Sequence, residues 1–596
     1  MHEFTVWAPA ASRVMLHLPA ADPDGYRREP MRRVADPALG QEATPDTDGW
    51  WHLAVPEAGH GTDYAFALDG GDPRPDPRSA WQPEGVHRHS RVFDASRHAW
   101  GDAGWKGLDC RGAVFYELHI GTFTPEGTLD AAIGRLDHLV RLGVQMVELL
   151  PVAEFSGERG WGYDGVGLYA VHHAYGGPEA LARFVDAAHG KGLGVCLDAV
   201  YNHLGPDGNY LREFGPYFTD AHTTPWGDAV NLDDDGSHGV RSWIIDNALR
   251  WFRDFHIDCL RLDAVHALVD ASPRHLLAEL SDRVAALSAQ IGRPLGLVAE
   301  SDLNDPSMVD PVVNGGRGMT GQWDDDVHHS IHAFITGETQ GYYCDFGTSS
   351  VLARVLTEAF RHAGDYSTFR GKHWGAPVSP DRHRGHQFII ATQNHDQVGN
   401  RATGDRPSAT VSPGRLAASA ALMLTSIYTP MLFMGEEWGA RTPWQFFTAF
   451  ENPELAEAVR KGRRAEFGSH GWAPEEVPDP QALSTRDDSV LNWAEPEQEA
   501  HAAMLTWYRD LIALRSASPD LLDDSFDSVS VQYGDAWIAM RRGSFTTVLN
   551  IGAEPARVPV PAGSAARLTW GSVVLDDDEE TALVSPDSVA VLQVRD

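Results

Sequence analysis

Cysteine is scarce in this sequence and occurs in no recognisable motif. The four cysteines, Cys110, Cys196, Cys259 and Cys344, are scattered singly, without a CxxC pair. This spacing excludes a disulfide framework and the usual arrangements of a cysteine-based zinc site. Because two of the four fall inside apolar strand-like runs, we expect the cysteines to be reduced core residues.

Basic residues are fewer than acidic ones, and long apolar runs are missing. The chain has 48 Lys and Arg against 84 Asp and Glu, which gives a formal net charge of −36 and a pI near 5.1. Such a surface repels phosphate backbones and anionic lipids, so we expect neither nucleic acid nor a membrane as a partner. No uncharged apolar run is long enough to span a bilayer, and the N-terminal segment MHEFTVWAPAAS lacks the regions of a signal peptide. A cytoplasmic location is therefore expected.

The sequence is rich in apolar residues, which follow two different patterns along the chain. The 596 residues are 42% apolar, which is enough for several domains. From Phe4 to about Val92, short apolar stretches such as RVMLHL and YAFAL alternate with Pro, Gly and Asp turns. This pattern predicts a β-sandwich over residues 1–104.

After this region, strand-like runs alternate with helical stretches, as in PEALARFVDAAHGKG followed by GVCLDAVYNH. About eight such units over roughly 400 residues predict an α/β fold, a (β/α)8 TIM barrel with insertions over residues 105–517. The sixth strand is the weakest and lies near GMTGQWDD, and the last barrel helix is expected from His501 to Ser516. Short strand-like runs after it predict a C-terminal β domain over residues 518–596.

Polar residues end at least four of the predicted barrel strands. In such a barrel the chemistry collects at the carboxyl ends of the strands. The candidates there are Asp198, Asn202 and His203 after the third strand, Arg261, Asp263 and His266 after the fourth, Glu300 and Asp302 after the fifth, and Asn394, His395 and Asp396 after the seventh. Several carboxylates with no thiol, serine elbow or cofactor loop indicate glycosidic bond chemistry, for which neither a metal nor an organic cofactor is expected.

The segment LRLDAVH places a cation and a carboxylate on one face of a buried strand. Arg261 and Asp263 are two positions apart, so alternation puts them side by side. The arginine would keep Asp263 ionised and oriented as a nucleophile, while neighbouring carboxylates keep another acid protonated. The simpler alternative is a buried ion pair without a catalytic role.

Four segments of the chain resemble, in order, the signature segments of the α-amylase superfamily: DAVYNH (198–203), LRLDAVH (260–266), the VAES glutamate and QNHDQVGN (393–400). The resemblance implies Asp263 as nucleophile, Glu300 as general acid and base, and Asp396 as the third acid that stabilises the transition state. It also implies a retaining mechanism, with the Asp263 and Glu300 carboxyls about 5 to 5.5 Å apart. Cys259 stands where the superfamily usually has glycine.

A narrower set of segments resembles the maltooligosyltrehalose trehalohydrolase family: ELHIGTFTPEGT, WGYDG, YNHLGPDGNYL, TPWGDAVN, QWDDDVHH and LFMGEEWGA. This resemblance implies cleavage of the α-1,4 bond next to the terminal trehalose of maltooligosyltrehalose, in a chain whose N-terminal sandwich resembles a carbohydrate-binding module. It implies related α-glucans as further ligands and a maltooligosyltrehalose-forming enzyme acting upstream. The substrate-binding residues that the two resemblances imply are Tyr163, His203, Arg261, His266, Asp325, Asp326, His328, His329, His395, Gln397 and Asn400. Asp198 is expected to lie behind them and to orient His203 and Arg261.

Several alternatives stay open at this point. Tyr163 could be core rather than a stacking platform, Trp226 could line the cleft or plug a loop, and the histidines from His328 to His332 have spacings that could bind a metal. For the whole chain, the rivals are a glucan branching or debranching enzyme, a transglycosylase, and a non-catalytic glucan-binding barrel.

Overall fold

The computed structural model describes residues 1–20, 25–34, 49–468, 473, 476–576 and 580–594. Within these ranges the chain forms an N-terminal pair of antiparallel sheets, a closed parallel barrel and a C-terminal pair of antiparallel sheets. This is the α/β class and the architecture that the sequence predicts. The domain boundaries after residues 104 and 517 stay predictions.

The N-terminal sheets form because apolar residues alternate along short strands. In Val14–Pro19, for example, the first, third and fifth side chains are buried and the others are more exposed. This period-2 pattern gives each sheet one apolar face, and the faces pack together. The eight strands are His2–Trp7, Val14–Pro19, Tyr26–Pro30, Arg32–Val34, Trp50–Val55, Asp63–Leu68, Pro73–Arg74 and Ser90–Arg91.

The barrel contains eight parallel strands in sequence order, and the eighth pairs with the first. The barrel strands are Phe115–Leu118, Met146–Leu149, Gly194–Ala199, Cys259–Leu262, Gly296–Ala299, Gly321–Trp323, Phe388–Ala391 and Thr429–Phe433. Every residue in them is buried, as expected where helices cover a parallel sheet. The sixth strand has only three residues, which explains its weak sequence signal.

Helices surround the barrel and fill the loops at its ends. Their bounds are Ile120–Phe123, Leu129–Ile133, Leu136–Leu142, Gly177–Gly190, Leu211–Phe214, Ser237–Asp254, Leu276–Ile291, Asp325–Thr336, Ser349–Glu358, His395–Gly399, Pro407–Thr410, Pro413–Thr425, Pro453–Gly468, Leu483–Asp488, Glu499–Ala517 and Pro519–Leu522. The predicted last barrel helix corresponds to Glu499–Ala517, which packs on Pro413–Thr425. Among the described helices, none combines the length and apolar character needed to cross a bilayer.

Short hairpins extend from the carboxyl end of the barrel. Three two-stranded sheets pair Glu154–Phe155 with Gly165–Gly167, Phe218–Thr224 with Gly227–Val230, and Tyr366–Ser367 with Lys372–His373. They lie in the loops after the second, third and sixth barrel strands. The hairpins thereby build walls around the end of the barrel where the strand-terminal acids lie.

The C-terminal sheets contain Val529–Tyr533, Trp537–Arg542, Phe545–Asn550, Ala556–Pro559, Ser564–Trp570, Val573–Leu575, Thr581–Val584 and Ser588–Val594. Phe545–Asn550 is buried throughout because it lies inside the five-stranded sheet and contacts the helix Pro413–Thr425. This packing joins the C-terminal sheets to the barrel.

The cysteines only partly match the expectation from the sequence. Cys110, Cys196 and Cys259 are buried and free, and they pack together at the start of the barrel strands. Cys344 is free but exposed, so the prediction of a core position is wrong for that residue. It lies in a short 3₁₀ turn, Gly341–Asp345, beyond the barrel wall.

Candidate active site at the carboxyl end of the barrel

One buried arginine connects the acids of three neighbouring strands. The Arg261 side chain is fully buried, and its Nη1 donates to Asp198 Oδ2 and to Asp263 Oδ1, both at 2.7 Å. Its Nη2 lies 3.7 Å from Glu300 Oε2. The pairing register explains part of this geometry, because Asp198 lies directly opposite Arg261 on the adjacent parallel strand. A single guanidinium therefore holds Asp263, the expected nucleophile, beside Glu300, the expected general acid.

Asp263 follows the fourth barrel strand and presents its carboxylate to the cleft. One oxygen accepts from Arg261 and the other from Asn202 Nδ2 at 2.9 Å. Hydrogen bonds to both oxygens hold the carboxylate in one orientation. The side chain remains 11% exposed, so a substrate can reach it.

Glu300 is held as a protonated acid beside Asp263. Burial raises its pKa to about 8 against the opposing effect of Arg261, and the nearby charges of Asp263, Asp325 and Asp396 raise it further. The backbone N–H of Ala264 donates to Glu300 Oε2 at 2.5 Å. A neutral carboxyl with this pKa can donate a proton near neutral pH.

The donor to Glu300 comes from a strained backbone position. Ala264 has φ +39°, in the left-handed region that an L-residue with a Cβ seldom adopts. Such a conformation costs about 1–3 kcal/mol and persists where the surroundings enforce it. Here it turns the chain directly after Asp263, which aims the Ala264 N–H at the neighbouring acid.

Asp396 lies in the first turn of the short helix His395–Gly399, near enough for its charge to raise the pKa of Glu300. Asn394 caps this helix by accepting from Gln397 N at 2.8 Å. The Asp396 side chain is 40% exposed, and its Oδ2 lies 3.3 Å from His395 Nε2. The cap fixes the backbone, and the carboxylate faces the open cleft.

His395 is a buried cation at the base of the cleft. Its Nδ1 donates to Glu117 Oε1 at 2.6 Å, and its Nε2 lies 2.7 Å from Tyr163 Oη. Although burial opposes the charged form, Asp396 and Glu117 raise the pKa of His395 to about 9. At neutral pH both ring nitrogens therefore carry protons and donate.

Tyr163 is tied to this network rather than packed as ordinary core. Its hydroxyl donates to Asp198 Oδ2 at 2.6 Å, and its ring stacks on His395 at a centroid distance of 5.1 Å. The ring is only partly buried. A rigid, partly exposed tyrosine ring beside the acids can serve as a platform for a sugar face.

Comparisons with known proteins identify the family of this chain. Residues 89–225 match the alpha amylase catalytic domain, and residues 2–82 match carbohydrate-binding module 48, the isoamylase N-terminal domain. A relative from Arthrobacter ramosus named malto-oligosyltrehalose trehalohydrolase is 52% identical over 96% of both chains. A relative of the same name from Rhizobium sp. (strain M-11) is 49% identical over 99% of this chain and 97% of its own. This chain belongs to the maltooligosyltrehalose trehalohydrolase family.

A crystal structure titled as a putative alpha amylase from Salmonella typhimurium has the same fold over nearly the whole chain. The two structures superimpose with a TM-score of 0.88 at 39% identity, covering 99% of this chain and 97% of the other. The family resemblance seen in the sequence and the predicted three-part architecture are thus confirmed.

The remaining predicted residues of the loops after the third, fourth and seventh barrel strands each contact another residue at the carboxyl end of the barrel. His203 donates from Nε2 to the Tyr163 carbonyl at 2.9 Å, and Trp226 stacks on its ring at 4.5 Å while staying 50% exposed. Trp226 is exposed at the tip of the hairpin formed by Phe218–Thr224 and Gly227–Val230, and its place in the cleft wall stays a prediction. His266, Gln397 and Asn400 contact Asp302, Tyr342 and Asp396 respectively.

The four residues predicted from the sixth loop do not share one surface. Asp324 caps the helix Asp325–Thr336, and Asp325 lies in its first turn, where its charge raises the pKa of Glu300. Burial, together with the charges of Asp396 and Asp302, raises the pKa of Asp325 to about 7. Asp325 is therefore the member of this group that joins the site.

Asp326, His328 and His329 depart from the expectation of direct sugar contact. Asp326 is 3% exposed, and its Oδ2 accepts from Asn304 Nδ2 and from two backbone N–H groups. His328 and His329 are 2% and 9% exposed. Successive residues of a helix point about 100° apart, so Asp326 lies on a different face from Asp325. His328 and His329, three and four positions further on, lie on the same side of the helix as Asp325 but are almost fully buried.

Two acids of the site were missed in the sequence. Glu117 and Glu148 are buried at paired positions of the first and second barrel strands. Burial, reinforced by the charge of Glu117, raises the pKa of Glu148 to about 8. Each is a lone acid inside an apolar run, ELHI or VELL, which is the signal that singled out Arg261. The same criterion applied to every strand would have found them.

We expect Glu117→Gln to weaken catalysis by lowering the pKa of His395. Glutamine can still accept from the His395 backbone N–H, which the Glu117 Oε2 does at 2.9 Å, so the fold should persist. Losing the adjacent negative charge lowers the pKa of the His395 imidazolium. We expect the transition state to lose about 1.4 kcal/mol of interaction with this ring, which lowers kcat/KM about 10-fold. Histidine NMR titration and kcat/KM against pH measure both effects. An unchanged titration of His395 would contradict this role for Glu117.

Proposed function

We propose that this protein is a retaining glycoside hydrolase that cleaves the α-1,4-glucosidic bond next to the terminal α,α-trehalose of maltooligosyltrehalose. The products are trehalose and a maltooligosaccharide. The observation that carries the proposal is the pair of Asp263 and Glu300 bridged by Arg261, with the partly exposed Asp396 near enough to act on the Glu300 carboxyl. The named activity of relatives about 50% identical over nearly the whole chain supports the choice of substrate.

The reaction proceeds in two steps on these acids. In the first step the Asp263 carboxylate attacks the anomeric carbon while Glu300 gives its proton to the oxygen of the departing trehalose. A covalent bond forms between the sugar and Asp263, and the glycosidic bond breaks. In the second step Glu300, now ionised, takes a proton from water, which attacks the same carbon and releases Asp263.

The other residues act on charge and position. We assign Asp396 to the sugar hydroxyls and to the positive charge that develops on the ring in the transition state. Arg261 keeps Asp263 oriented, and Asp198 holds both Arg261 and Tyr163 through its Oδ2.

The raised pKa of Glu300 makes the activity pH-dependent. Because Glu300 must carry a proton to act as the acid, we expect kcat/KM to fall as the pH rises through about 8, the value to which burial raises this pKa. Rates measured between about pH 6 and pH 10 test this, with initial rates at substrate concentrations well below KM. A constant kcat/KM across that range would show that Glu300 is not the acid.

The product pattern distinguishes the proposal from its rivals. Maltotriosyltrehalose, incubated with the protein and analysed by chromatography, should give trehalose and maltotriose. A branching or debranching enzyme would instead act on branched or plain glucans and release no trehalose. A transglycosylase would give longer products, and a binding protein without activity would give none. Glucose or maltose alone would refute the proposed specificity.

The cellular setting follows from the same chemistry. The substrate carries a terminal trehalose on a maltooligosyl chain, so a reaction that converts the reducing end of such a chain to trehalose must supply it. We therefore propose an upstream maltooligosyltrehalose-forming enzyme. As a separate proposal, we place both steps in the cytoplasm. Related α-glucans are expected to compete for the cleft.

A further inference from the structure

The loop after the second barrel strand contains a cluster of two histidines and a glutamate outside the active site. We propose that Glu154, His172 and His173 form a binding site for a divalent transition metal ion of the zinc class. One ligand atom from each residue lies within 4.8 Å of the others. No active-site acid named above belongs to this cluster.

Both histidines direct Nδ1 toward the same carboxylate oxygen. Glu154 Oε1 lies 2.6 Å from His173 Nδ1 and 3.3 Å from His172 Nδ1. Tetrahedral zinc with bonds of about 2.0 to 2.1 Å separates its ligand atoms by roughly 3.3 Å. The Glu154 to His172 distance already has this value, and the Glu154 to His173 distance is shorter, so His173 would need to move away from Glu154 to admit an ion.

His172 supplies an independent observation. Its side chain is fully buried. Its Nδ1 approaches Glu154 Oε1 at 3.3 Å without the alignment of a good hydrogen bond, and its Nε2 has no hydrogen-bond partner among the described residues. Its ring stacks on Phe155 at a centroid distance of 3.7 Å, which fixes the direction of Nδ1. Buried polar groups are almost always satisfied, so an imidazole aimed at a buried carboxylate without a hydrogen bond points to a ligand between them.

The donor set selects the class of metal. Two imidazole nitrogens and one carboxylate oxygen suit Zn²⁺, Co²⁺ or Ni²⁺, whereas Ca²⁺ and Mg²⁺ prefer oxygen ligands. Glu154 also lines a small cavity of about 30 Å³ between the N-terminal sheets and the barrel, which is large enough for one water.

The site would connect two parts of the loop that carries Tyr163. Glu154 lies in the strand Glu154–Phe155, which pairs with Gly165–Gly167 just after Tyr163. His172 and His173 lie between this hairpin and the helix Gly177–Gly190. A bound ion would therefore fix the ends of the loop, and its role would be structural.

Cobalt binding to the untagged, full-length, chelator-treated protein tests this proposal. Titration with Co²⁺ should give one equivalent of tight binding, with the intense visible absorption of a tetrahedral site and a higher Tm. His172→Gln and His173→Gln should each weaken the affinity by about 100-fold or more, because each removes one of three protein ligands. His173 is partly exposed, so that variant should fold even if the buried one does not.

A matched control is His87→Gln. His87 also faces a carboxylate, with its Nε2 3.3 Å from Asp207 Oδ1, but lies outside the cluster. This variant should bind Co²⁺ as the parent does. Absence of stoichiometric binding in the parent, or equal affinity in the parent and both cluster variants, would show a Glu154 to His173 ion pair without a metal.

Discussion

Asp263→Asn is expected to lower kcat on maltotriosyltrehalose by about 10⁴-fold or more, since removal of a nucleophile leaves only the catalysis supplied by binding and the remaining groups. Asparagine keeps the shape of the side chain, and its amide oxygen can still accept from Arg261, which now donates to Asp263 Oδ1 at 2.7 Å. The substrate Kd should therefore change little. Single-turnover kinetics and calorimetric binding measure the two quantities separately.

A matched control for this variant is Asp130→Asn. Asp130 also pairs with an arginine, Arg183, at 2.7 Å, but the pair is on the surface with both side chains about half exposed. Exposed ion pairs contribute at most about 1 kcal/mol, so both kcat and stability should stay close to those of the parent. If Asp263→Asn kept more than a few per cent of the parent activity, the nucleophile would have to be another residue.

Glu300→Gln is the second change with a large expected effect. Glutamine keeps the volume and can accept from the Ala264 N–H, but it cannot give a proton to trehalose. General acid catalysis contributes about 10²- to 10⁴-fold, so kcat should fall by that factor, and the fall in kcat/KM above about pH 8 should disappear. An α-maltosyl fluoride, whose leaving group needs no proton, should recover most of the first step.

The same variant should be more stable than the parent at alkaline pH. The pKa of Glu300 is raised from 4.5 in the unfolded chain to about 8 in the fold, chiefly by burial. The stability associated with its proton is fully present below about 4.5 and is lost as the pH rises through about 8. Glutamine avoids this loss, so the Tm difference should be near zero at about pH 4 and favour Glu300→Gln at about pH 9. A lower Tm of the variant at alkaline pH would contradict the assigned burial cost.

Much of the site follows from the positions of polar residues in the sequence. Asp198, Arg261, Asp263 and Glu300 each stand at or just beyond the end of an apolar run, and parallel strands bring their ends to one rim. Adjacent strands in register then place Asp198 beside Arg261 without further information. The strand ends therefore supply the candidate acids, whereas the individual roles of Asp263, Glu300 and Asp396 came from the resemblance to the α-amylase superfamily.

Other features could not be read from the chain. Asp325 and Asp326 are adjacent and identical in type, but one faces the cleft and the other accepts three hydrogen bonds inside the wall. The direction of a side chain on a first helical turn depends on how the helix packs, which distant residues decide. The same holds for Glu117 and His395, which are 278 positions apart and meet because the barrel closes.

The sequence by itself determined the order of strands and helices, the apolar core and the identity of the acids at one rim, because these depend on local pattern and on the geometry of a parallel barrel. Only the tertiary structure decided which charges are paired. The Arg261 bridge, the charged His395 and the Glu154, His172 and His173 cluster all arise from burial and closure, since desolvation and contact distances exist only once distant segments pack together.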